Sequence, residues 1–93
     1  MQDFQEAYRQ KLIKTLGSII RKHRISQRKS MYKISAECSM SKSTWREAEY
    51  GICKDMNLST FWKISEGLNI APDVLLKELR EKLGKEFTLT DFD

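Results

Sequence analysis

The densest run of side chains able to do recognition chemistry is Lys42, Ser43, Thr44, Arg46, Glu47 and Tyr50, all within KSTWREAEY. The ammonium and guanidinium groups donate hydrogen bonds, the carboxylate accepts them, and the hydroxyls do either. A short polar face of mixed charge with this inventory suits reading of base edges together with contacts to phosphate. Lysine matches guanine O6 and N7, glutamate accepts from cytosine N4, and serine serves either base. Reaction chemistry finds no comparable set. Two cysteines and the lone His23 are too few for a zinc site. The sequence holds no nucleophile–base pair, phosphate loop or metal cluster, so neither catalysis nor a cofactor is expected. Cys38 reads as a small core hydrophobe. Cys53 is a single thiol after Gly51 with no resolving partner, a poor basis for a redox role.

Two short helices meeting at a tight turn would position that polar face, and they occupy Ser30 to Gly51. Ser30 is the first N-cap, its oxygen accepting from a free N–H of the opening turn. Met31, Ile34 and Cys38 then fall at i, i+3 and i+7, one face of a short helix. Ser41 caps the second helix, with Met40, Trp45 and Ala48 inward. Gly51 closes it, where a left-handed backbone suits glycine.

This run resembles the helix-turn-helix of the phage lambda repressor and Cro-like family of DNA-binding proteins. Ser30 stands where that family opens its first motif helix with serine or threonine, and Ser35 where it has a small alanine. Met40-Ser41-Lys42-Ser43-Thr44 stands where it writes valine-serine-arginine-serine-threonine, and Glu49 and Gly51 match its closing glutamate and glycine. Leu16-Gly17, Ile20-Arg21 and Arg24 match its first helix; Leu58, Thr60, Lys63-Ile64 and Leu68 match its fourth. The resemblance spans Leu16 to Leu79. Three departures stand out. Met31 replaces a glutamine that contacts the DNA backbone. Ser39 replaces a turn glycine, at a cost of roughly 1–2 kcal/mol if left-handed. Trp45 replaces a smaller aliphatic, with Ala48 smaller than usual in compensation.

The resemblance implies an all-α fold of roughly five helices in which helices one and four hold the helix-turn-helix pair. It implies a homodimeric transcriptional regulator, a repressor, on palindromic double-stranded DNA. The Ser41–Tyr50 helix would enter the major groove with its N-terminal end leading. Lys42, Ser43 and Glu47 would then face bases, while Arg46, Thr44, Tyr50, Ser30 and Lys29 would face phosphates. Glu47 has a rival role as a surface ion pair. Arg24 and Glu49 would form a structural ion pair fixing the aim of the recognition helix. Two other readings stay open: an antitoxin or controller subunit with a protein partner, and a helix-turn-helix used only for protein contacts.

Charge agrees with a polyanionic partner. Met1 to Lys54 carries 12 Lys and Arg against 5 Asp and Glu, net +7, whereas Asp55 to Asp93 carries 5 against 8, net −3. The positive half holds the motif. A chain of 93 residues, 40% hydrophobic and 32% charged with Gly 4 and Pro 1, fits one helical domain. No membrane span or signal-peptide core is visible, so a cytoplasmic protein is expected.

The remaining segments support the motif. Phe4, Tyr8, Leu12, Leu16, Ile19, Ile20 and His23 trace one stripe, predicting a first helix from Asp3 to Ser26. Residues 1–13 form an extension of it beyond the resemblance. Asn57 is the next N-cap, followed by Leu58, Phe61, Trp62, Ile64 and Leu68 as an inward set, so that Phe61 and Trp62 read as core rather than as a stacking platform. Pro72 opens a fifth helix at its first position, Leu76, Leu79 and Leu83 form a stripe, and Gly84 ends it. Residues 85–93 are an acidic tail with Phe87, Leu89 and Phe92, either a short strand or a disordered end. Phe4, Tyr8, Leu76, Leu79, Leu83 and Phe87 are expected to be surplus to the core and free to form a two-fold interface, the alternative being that the chain ends pack on each other.

Overall fold

Three side-chain caps set the helix boundaries. Ser30 Oγ accepts from Lys33 N at 3.0 Å, Ser41 Oγ from Thr44 N at 3.1 Å, and Asn57 Oδ1 from Thr60 N at 2.8 Å. Each satisfies an N–H that the helix itself leaves free. The computed structural model describes residues 2–90, with side chains from Gln5 onward. Its helices are α1 (Gln2–Ser26), α2 (Met31–Glu37), α3 (Lys42–Tyr50), α4 (Leu58–Leu68) and α5 (Pro72–Leu83). No strand occurs among the described residues, and residues 85–90 form turns and bends. The Phe4 side chain and Phe92 lie outside the described residues.

Backbone turns follow local chemistry. Gly51 closes α3 at φ 65°, and Asn69 closes α4 at φ 58°. Ser39 is left-handed at φ 61°, so the turn between α2 and α3 takes that conformation without glycine. Met40 N then bonds back to Ser35 O at 2.9 Å, offsetting part of the strain.

One core unites the helices. Leu16, Ile19 and Ile20 of α1 meet Ile34 and Cys38, Trp45 and Ala48, Phe61, Ile64 and Leu68, and Leu75 and Leu79 of α5. Met31, Met40, Leu12 and Leu83 pack against its edge. Fully burying side chains of this size stabilises by roughly 1.5–3 kcal/mol each before entropy is counted.

Two inward assignments, Leu58 and Trp62, need correction. Leu58 is 71% and Trp62 51% exposed. At about 100° per residue, Trp62 lies roughly a third of a turn from the line through Phe61, Ile64 and Leu68, and Leu58 is the first residue of α4, beyond the core edge. Leu76 is exposed too, because Leu75 and Leu79, joined by Leu83, carry the buried stripe of α5 at i, i+4 and i+8. Leu79 is therefore core, not surplus, as is Ile13 of α1, which the stripe reading passed over. The chain ends pack on each other: Tyr8 and Phe87 meet edge to face at 6.0 Å, and Leu12, Leu76, Leu79, Leu83, Phe87 and Leu89 share one hollow. At this hollow Leu76 and Leu89 remain 47% and 42% exposed.

Polar links tie α1 and the residue after it to α4 and α5. Gln27 Nε2 donates to Leu68 O at 2.7 Å, closing the end of α4. Glu78 of α5 takes Lys22 Nζ and His23 Nε2, each at 2.7 Å. The Lys22 and His23 hydrogen bonds hold the Glu78 carboxyl below its ordinary value. A depressed acid stabilises the fold above its unfolded pKa, and this support is lost as pH falls through the folded value. Thermal melts on either side of the ordinary carboxylate range should show Glu78→Gln costing stability at neutral pH and little in acid. An equal cost at both would reject this link.

Candidate nucleic-acid interface

The periodicity of α3 separates an anchored face from a presented one. Trp45, Ala48 and Glu49 are buried, whereas Lys42, Ser43, Thr44, Arg46, Glu47 and Tyr50 are exposed. At the leading end, Ser41 Oγ, besides capping, lies 3.2 Å from Ser43 Oγ and donates to Thr44 Oγ1 at 2.8 Å. Those hydroxyls are thereby clustered beside the free N–H groups of the first turn. Lys42 and Glu47 enter no ion pair among the described residues, so both heads face solvent. Arg46 lies over the Tyr50 ring, its Cζ 4.8 Å from the centroid. This cation–π contact couples the two residues.

The anchored face is fastened by charge. Glu49 accepts from Arg24 Nε, from Arg24 Nη2 at 3.1 Å and from Trp45 Nε1 at 2.6 Å. Its side chain is 0% and that of Arg24 13% exposed. Arg24 Nη1 also donates to Lys29 O at 2.8 Å, so one guanidinium joins α1, the link into α2, and α3. Among the described residues no buried side-chain nitrogen or oxygen lacks a partner. Gly17 allows this approach: a Cβ there would lie 2.5 Å from both Ala48 O and Glu49 O.

Lys29 and Ser30 lie apart from the α3 set, at the entry to α2. Lys29 Nζ pairs with Glu37 Oε1 at 2.8 Å, and this hydrogen bond draws the Glu37 carboxyl below its ordinary value. Ser30 uses its lone pair as a cap but keeps a hydroxyl proton to donate. Sequence reasoning passed over Tyr32, 72% exposed, at the same entry, where Arg28 and Lys33 are exposed too. The signal was there: Tyr32 falls between the inward Met31 and Ile34. The Trp45–Glu49 bond was also passed over, although i, i+4 spacing allows it. Burial pushes the thiols of Cys38 and Cys53 up, which lowers their nucleophilicity at neutral pH.

No protein-family model, curated protein or solved structure matches the chain.

Proposed function

We propose that this chain is a helix-turn-helix, lambda-repressor-like regulator that binds double-stranded DNA with sequence specificity, with α2 and α3 as the motif and no catalytic role. The observation that carries the reading is the division of α3 into a rigidly anchored inner face and a solvent-facing row of donors and acceptors. The +7 charge of residues 1–54 supports it, since phosphate neutralisation supplies most of the nonspecific affinity for DNA. In this reading the N-terminal end of α3 enters the major groove. Lys42 reaches guanine O6 and N7, Ser43 and Glu47 read neighbouring bases, and Thr44, Arg46, Tyr50, Lys29 and Ser30 hold phosphates.

A helix of nine residues reads only a few base pairs, so a homodimer on a palindromic site completes the proposal. Light scattering of the protein alone and on DNA reads this directly: one chain per duplex on a palindromic site would remove the dimer. A second reading, an antitoxin or controller subunit with a protein partner, is favoured by the exposed Leu58 and Trp62 on α4, an apolar pair at i, i+4.

Selection of duplexes from a random library, followed by gel shifts, tests the main reading. Lys42→Ala should relax discrimination at one base pair by about 1–3 kcal/mol while leaving the helical fold intact. A selection that returns no enriched sequence would count against DNA recognition, and an unchanged preference in Lys42→Ala would move the reading face elsewhere.

A further inference from the structure

Glutamate has three rotatable side-chain bonds, so a lone carboxylate tether between α1 and α3 would transmit position loosely. Here the tether is stiffened from within α3. The indole Nε1 of Trp45, one turn before Glu49, donates to Glu49 Oε2 at 2.6 Å, the oxygen that also receives Arg24 Nε. The indole itself is packed in the core: Trp45 is 0% exposed, and its Cζ3 lies 3.4 Å from where a Cβ on Gly67 would stand. With its rotamer fixed by the indole and its second oxygen held by Arg24 Nη2 at 3.1 Å, the carboxylate becomes a rigid strut between the two helices.

We infer that Trp45 is a positioning residue for sequence selectivity, its N–H locking Glu49 so that α3 presents Lys42, Ser43 and Glu47 at one fixed angle. This rests on the DNA reading proposed above. Base contacts need donor and acceptor atoms held in register, whereas phosphate contacts tolerate small rotations of the helix. Loss of the N–H therefore lowers selectivity more than overall affinity.

The test compares binding of the full chain to the tightest duplex the parent selects and to a scrambled duplex of equal length. Trp45→Phe removes the donor together with the second ring. Replacing Trp45 with 3-benzothienylalanine, in which sulfur takes the place of the N–H, keeps the bicyclic shape and is the decisive variant if phenylalanine fails to fold. Ile64→Val, a core change on α4 that leaves both partners of the Trp45–Glu49 bond in place, controls for lost stability. The expected result is a fall of about tenfold in the ratio of selected to scrambled affinity for the benzothienyl variant, within the range of one lost bidentate base contact. Scrambled-duplex affinity and the Ile64→Val ratio stay at the parent value. An unchanged ratio in the benzothienyl variant, or an equal fall in Ile64→Val, overturns the role of Trp45. A parent that shows no preference between the duplexes fails the DNA reading itself, a distinct outcome.

Discussion

Glu49→Ala is expected to lower the stability of the domain by about 3–5 kcal/mol, the loss that follows when one partner of a buried ion pair is removed. The cost comes from what remains. The Arg24 guanidinium, 13% exposed, keeps its charge without a counter-ion, and the Trp45 indole loses its acceptor in a site closed to water. Lys29 O remains as one acceptor for Arg24, which offsets part of the penalty. Glu49→Gln, which preserves shape and one acceptor oxygen, should cost less than the alanine variant. Urea denaturation of the three proteins reads the series. A loss below about 1 kcal/mol in Glu49→Ala would put the pair among solvated surface bridges, contrary to its burial.

Gly17→Ala gives the second large effect, and its sign is informative. Alanine is the better helix former by about 1 kcal/mol, so propensity alone predicts a more stable α1. The added Cβ, however, would stand 2.5 Å from two carbonyl oxygens of α3, Ala48 O and Glu49 O, which are backbone and cannot swing aside. The two helices must separate, and overpacking of this kind costs about 1–3 kcal/mol. The same separation lengthens the Arg24–Glu49 link, so the variant should melt lower and bind its selected duplex less tightly. A higher melting temperature would show that α1 and α3 are not in backbone contact at Gly17.

Much of this architecture was legible because capping residues fix the phase of a helix. Once Ser30, Ser41 and Asn57 begin helices and Gly51 and Gly84 end them, the inward positions of α2 and α3 follow from a period of 3.6. The phase of α4 and α5 was harder to read because apolar residues stand side by side there. Phe61-Trp62 and Leu75-Leu76 each offer two candidate core residues 100° apart, and only the packing of the surrounding helices selects Phe61 and Leu75. The outward row of α3 was readable for the same reason as its caps. The Trp45–Glu49 bond was not, because a tryptophan counted as core volume hides a polar atom whose partner depends on the depth of burial.

The central claim, that α3 reads duplex DNA, is tested most directly by measuring affinity for the selected and scrambled duplexes across a salt series. The account predicts tighter binding of the selected duplex at every salt concentration. It also predicts that log K falls linearly with log salt, by about 0.9 for each phosphate neutralised. A flat salt dependence together with equal affinity for both duplexes would contradict it.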